Sequence, residues 1–164
     1  MSITENFVFP LYIKDKVLEE ITKIGKTSPK EIFGYLVGDI FKWKEKTYIV
    51  IEEQLFILGA VYSQKYSTSQ IEGTAGAYQK KFNRLKKDKK FENLRIVGWW
   101  HTHPGLGCFL SDVDLKTQRY FFPESYHVAL VLDPINIEFK FFTLDKKIKR
   151  NYKEVSSAVI SSER

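Results

Sequence analysis

The sequence predicts one α/β domain of the α+β type, a mixed β-sheet flanked by helices, and three observations carry that prediction. The chain has 164 residues, enough for one domain with a real core and too few for two ordinary ones. Two apolar runs of strand length read as buried strands: a near-continuous one entering at Ile32, buried on both faces, and one from His127 to Leu132. Segments with a 3.6-residue apolar period lie between such runs and read as helices.

Taken in order, Phe7 to Ile13 predicts a first strand, and Pro10 within it predicts an edge position because proline donates nothing to a ladder. Val17, Leu18, Ile21 and Ile24 recur at helical spacing, and Gly25 ends that helix. The run Ser28 to Gly38 follows, with Glu31 at the strand entrance. Local chemistry alone reads Glu31 as the partner of Ser28 in a capping box, or as a surface charge. The polar stretch Lys42 to Lys46 predicts a hairpin into Thr47 to Ile51, then a less regular connection through Ser69, long enough to be a functional loop. A helix from about Thr74 to Lys90 turns Ala75, Tyr78, Phe82 and Leu85 inward. Seven of the eleven residues from Lys80 to Lys90 are basic, and a solvated helix face accounts for them. Leu94 to Trp100 predicts a strand, and Ser111 opens a helix. Ile137, Phe139 and Phe141 then alternate with Glu138 and Lys140 as a half-exposed strand. The tail 145–164 predicts a short helix or disorder beyond a domain spanning 1–144.

Composition narrows the function. Hydrophobic residues make up 43% of the chain and aromatics 15%, which excludes wholesale disorder, and no run reaches the length of a membrane span. The net charge of +6 suits an acidic partner, yet no nucleic-acid-binding signature accompanies it, so none is expected to bind. Met1 to Asn6 carries no secretory pattern and Cys108 is the single cysteine, so a reducing cytoplasmic setting is expected, with Cys108 as a packing residue.

The segment Val97 to Asp114 concentrates the chemistry. His101 and His103 stand two apart, and such residues share a face only on an extended chain; on a helix they diverge. Pro104 stops the ladder, and Gly105 and Gly107 permit the chain to return. Asp114, in the first turn of the following helix, is then placed to point back at both imidazoles. Two imidazoles, one carboxylate and an open position are the donor set of one catalytic Zn2+. The competing local reading is that Ser111 and Asp114 form only a capping box. His127, at a strand edge, is expected to stand apart.

His101-Thr102-His103-Pro104, six residues, Ser111, two residues, Asp114 matches the signature H-x-H-P-x(6)-S-x-x-D without a gap, and from about Phe7 to Leu144 the chain resembles the JAMM (MPN+) metalloproteases. The flanks Gly98-Trp99-Trp100 and Gly105 to Leu110 look like the deubiquitinating subunits of the proteasome lid and signalosome. The resemblance implies an MPN-like fold and a zinc held by His101, His103 and Asp114. It also implies Glu31, followed by Gly34 and Gly38, as catalytic base, and Ser111 as donor to the oxyanion. The implied reaction is hydrolysis of the isopeptide or peptide bond after the C-terminal glycines of ubiquitin or a ubiquitin-like modifier. An extended tail is expected to pair with a strand edge, with Leu58 to Ser69 or Gly105 to Leu110 as rim and Leu106 or Phe109 touching it. A non-catalytic scaffold of the same fold, and a peptidase acting on a sulfur-carrier or conjugation-system protein of ubiquitin fold, stay open as alternatives. Other metal families fit worse: a metallo-β-lactamase needs H-x-H-x-D-H, a zinc deaminase a Cys-x-x-Cys, and an amidohydrolase barrel more than about 200 residues. No thermolysin-like H-E-x-x-H is present.

Overall fold

The computed structural model describes residues 9–58 and 67–162, and within them the chain forms a single mixed α+β domain. Eight strands are β1 Leu11–Lys14, β2 Phe33–Trp43, β3 Lys46–Leu55, β4 Arg95–Thr102, β5 Val128–Asp133, β6 Glu138–Leu144, β7 Tyr152–Val155 and β8 Ser157–Ile160. Three α-helices are α1 Asp15–Gly25, α2 Ser67–Leu85 and α3 Asp112–Phe121. The strands form one sheet in the order β7-β6-β5-β4-β2-β3-β1-β8.

Alternation along the central strands divides the core. Phe33, Tyr35, Val37, Trp99, Ala129 and Val131 bury one sheet face with Ile71, Tyr78 and Phe82 of α2 and Leu115 of α3. Leu36, Trp100, Leu130 and Leu132 bury the opposite face with Val17 and Ile21 of α1. Strands β2, β4 and β5 therefore carry apolar side chains in both directions, as two covered faces require. Gly34 is needed where it stands: a Cβ there would lie 2.3 Å from the Leu55 carbonyl and 2.4 Å from the Trp100 indole. The β2–β3 hairpin turns at Lys44 and Glu45, whose φ values of 46° and 70° give the mirror-image turn that matches strand twist. Strands β4 and β5 run parallel, joined through α3.

Four expectations are revised. Strand β1 is no edge: it runs parallel to β3 on one side and to β8 on the other. Pro10 precedes it and only accepts, through its carbonyl, from the Ile49 N–H. The tail beyond Asp145, expected to be a helix or disordered, supplies β7 and β8 and belongs to the same sheet. Only Ser156 separates these strands although they lie at opposite ends of the sheet order, so the sheet curls until its edges approach within about 7 Å, the span of two Cα steps. The basic helix ends at Leu85, and Lys89–Phe91 form a separate 3-10 turn that Asp88 caps through the Lys90 N–H. Ser28 caps no helix; its hydroxyl accepts from the Lys30 N–H in a local turn. The expected loop from Leu58 to Ser69 lies mostly, and Phe7 wholly, outside the described residues.

Candidate metal centre

Strand β4 continues to Thr102, one turn of the pleat further than its apolar run, because its last residues are held from both sides. His101 pairs with Phe33 of β2 and Val131 of β5, and the His103 N–H donates to the Leu132 carbonyl at 2.8 Å. Both imidazoles project to the face that α3 covers, after Trp99, whose ring stacks on His101 at 4.2 Å between centroids. Ser111 caps α3: its hydroxyl accepts from the Asp114 N–H at 3.1 Å, and Asp114 Oδ2 accepts from the Ser111 N–H at 2.8 Å. The same Oδ2 lies 3.2 Å from His101 Nε2 and 3.2 Å from His103 Nε2. The two readings of Ser111 and Asp114 are thus compatible, since the capping box is what aims the carboxylate at the histidines.

His101, His103 and Asp114 are almost fully buried, and their ligand atoms all lie within 4.8 Å of one another. His103 Nδ1 is hydrogen-bonded to the Gly107 carbonyl at 3.1 Å, which places the proton on Nδ1 and leaves the Nε2 lone pair facing Asp114. Buried His103 Nε2 has no partner of hydrogen-bond geometry, although buried nitrogens are nearly always satisfied. Two imidazole nitrogens and one carboxylate oxygen, dry and convergent, fit a zinc ion.

Glu31 sits just before β2, where Ile32 exchanges backbone and side-chain bonds with Thr102, the residue between the two histidines. These bonds join segments seventy residues apart and bring Glu31 close enough to feel the charges of His103 and Asp114. Burial pushes its carboxyl up to about 6, with His103 pulling it down and Asp114 adding to the rise. Burial also keeps His101 below its ordinary value against the pull of Asp114. At His103 burial acts the same way, but Asp114, Glu31 and the Gly107 carbonyl outweigh it and raise its basicity. Two carboxyl groups facing two imidazoles make the cluster attractive to a cation.

Comparison with known proteins bears on this geometry. Residues 10–124 match the family model described as JAB1/Mov34/MPN/PAD-1 ubiquitin protease. The chain belongs to this family. Among its JAB1/Mov34/MPN/PAD-1 relatives, 26S proteasome regulatory subunit RPN11 of Eremothecium gossypii is 33% identical over 129 residues, covering 76% of this chain and 38% of that protein. Ubiquitin carboxyl-terminal hydrolase RPN11 of Saccharomyces cerevisiae is 32% identical over 127 residues, covering 76% and 39%. The 26S proteasome non-ATPase regulatory subunit 14 of Drosophila melanogaster is 33% identical over 127 residues, covering 76% and 38%. The chain therefore spans about two-fifths of the length of these relatives. A Desulfitobacterium hafniense protein solved in solution shares the fold, with a TM-score of 0.60, 15% identity and coverage of 93% of this chain and 94% of that one.

Residues outside the motif sort themselves by contact. His127 accepts from the Glu124 N–H and packs on Phe122 and Tyr126, apart from the cluster. Burial pushes the Cys108 thiol up to about 11 and its Sγ donates to the Val131 carbonyl, which suits packing rather than attack. Sequence reasoning missed Asp133, whose carboxylate accepts from the Gly105 and Gly107 N–H groups at 2.9 Å each. The signal was present in Asp133-Pro134-Ile135-Asn136, a turn-forming run in which aspartate caps the N–H groups that follow. Among the described residues no helix is long and apolar enough to cross a membrane.

Proposed function

We propose that this chain is a zinc-dependent isopeptidase or peptidase that cleaves after the C-terminal glycines of ubiquitin or a ubiquitin-like modifier, in a cytoplasmic setting. The observation that carries the reading is the buried convergence of His101, His103 and Asp114 within 4.8 Å, with Glu31 pushed up to about 6 beside it. The names of the relatives, a ubiquitin carboxyl-terminal hydrolase among them, supply the substrate class.

His101, His103 and Asp114 would hold the metal. A zinc ion so held lowers the pKa of water toward neutrality and polarises a carbonyl oxygen. Glu31 then accepts a proton from the attacking water and returns it to the departing amine, a task suited to a carboxyl that titrates near neutrality. The Ser111 hydroxyl accepts from the Asp114 N–H through its oxygen, so its own proton is available to the oxyanion. Leu106 and Phe109 are exposed beside the cluster, and the Phe109 ring stands 4.8 Å from that of His103, a wall against which an extended tail without side chains would lie.

The test is metal content and cleavage together. Purified protein should hold about one zinc and release modifiers from conjugates whose tails end in Gly-Gly. Lack of stoichiometric zinc would support the scaffold alternative, and equal cleavage of Ala-Ala tails would remove the confined-tail reading.

A further inference from the structure

Five hydrogen bonds converge on one carboxylate that lies outside the metal-ligand set. Asp133 ends β5 and is fully buried. Its Oδ1 accepts from the Gly105 N–H at 2.9 Å, the Ile135 N–H at 3.0 Å and the Asn136 N–H at 3.1 Å. Its Oδ2 accepts from the Gly107 N–H at 2.9 Å and the Asn136 side-chain amide at 2.7 Å. The bonds to residues 135 and 136 close its own β5–β6 turn and would suffice for that purpose. The other two reach across to the turn that follows His103.

One backbone bond, from the Leu106 N–H to the His103 carbonyl at 3.1 Å, closes the start of that turn and leaves Gly107 to be held by other groups. Gly105 and Gly107 take φ values of 75° and 80°, the left-handed region, and both direct their N–H groups onto Asp133. Gly107 then presents its carbonyl to His103 Nδ1 at 3.1 Å. Asp133, Gly107 and His103 are therefore in series: the carboxylate fixes the turn, the turn fixes a carbonyl, and the carbonyl fixes which ring nitrogen carries the proton. The strand end holds the same histidine a second way, since Leu132, next to Asp133, accepts from the His103 N–H.

We propose that Asp133 is a positioning residue for His103, holding the 104–107 turn so that His103 offers Nε2 to the metal. The proposal rests on the reading of His101, His103 and Asp114 as metal ligands. Hydrogen-bonding groups behind metal-bound histidines orient the ring and raise its donor strength, and their loss weakens metal binding about 10- to 100-fold. In Asp133→Asn an N–H2 group would face Gly105 or Gly107 where an oxygen accepts, turning one bond into a donor–donor clash and shifting the turn.

The experiment uses the full chain with Zn2+ alone, competed against a chelator, and with Co2+ as a spectroscopic substitute. Asp133→Asn should bind Zn2+ about 10- to 100-fold more weakly and show altered Co2+ ligand-field bands, with its circular dichroism preserved. Unchanged affinity and unchanged bands would overturn the proposal, also if metal-free stability fell, because a purely structural residue would give that pattern. Should Asp133→Asn not fold, Asn136→Ala takes its place. It frees Oδ2 from one donor while sparing the backbone bonds, so the same shift, smaller, is expected, and its absence overturns the proposal. Failure of the unaltered chain to bind Zn2+ would remove the metal reading itself, and this proposal with it.

Discussion

A carboxyl raised to about 6 beside two imidazoles and a second carboxylate exchanges its proton close to neutral pH, and Glu31→Gln removes that ability while keeping the side chain's shape. On the proposed zinc-peptidase mechanism the variant should bind Zn2+ as the unaltered chain does and lose about 10²- to 10⁴-fold in turnover. Turnover and metal content measured on one sample check this, and unaltered turnover would reduce Glu31 to a charge at a strand entrance. Asp133 permits a second test at this scale. Burial works against its ionisation, but the N–H groups of Gly105, Asn136 and Gly107 and the Asn136 amide outweigh it and hold the carboxyl well below its ordinary value of 3.8. A depressed folded-state pKa adds stability above the unfolded value and loses it as pH falls toward the folded one. The stability gap between the metal-free chain and Asp133→Asn, from urea unfolding, should therefore be larger at pH 7 than at about pH 3. A gap independent of pH would mean that the charge contributes nothing.

The start of helix α3 joins an observed cap to a proposed catalytic role. Ser111→Ala deletes the N-cap, costing about 1 kcal/mol in stability, and on the proposed mechanism it also deletes a donor to the oxyanion, which should cost about 10²- to 10³-fold in kcat. Chemical unfolding and kinetics on the same variant separate the two losses; a stability loss with full activity would leave Ser111 as a cap alone. On β2, Gly34→Ala sets a methyl group against the Leu55 carbonyl and the Trp100 indole, and the Leu55 backbone cannot swing aside as a flexible side chain would. A destabilisation of about 1–3 kcal/mol is expected from thermal unfolding. Both elements show how far local pattern reaches. The capping box, the His-x-His strand end and the proline and glycines after it are short-range features and were legible. That one carboxylate serves as cap and as candidate ligand was not, because the direction of Oδ2 depends on how α3 packs over β4.

Across the whole molecule, β7 and β8 close opposite margins of one sheet from neighbouring positions in the chain. A chain ending at Leu144 would leave β1 and β6 as open edges and lose the buried Tyr152, which packs edge-on against Phe142. Such edges pair with other chains. The truncated protein should melt at a lower temperature and form higher oligomers on size exclusion; unchanged behaviour would show β7 and β8 to be dispensable. Residue types and spacings by themselves determined what neighbours in sequence can do: the helical faces of α1 and α2, the buried character of β2 and β5, and the grouping of His101, His103, Ser111 and Asp114 within fourteen residues. Only the tertiary structure decided the non-local matters, namely β8 beside β1, Glu31 beside the cluster, and the grip of Asp133 on a turn twenty-six to twenty-eight residues before it. Strand order and register follow from burying both sheet faces at once and satisfying every buried N–H, a condition on the whole chain that no single window contains.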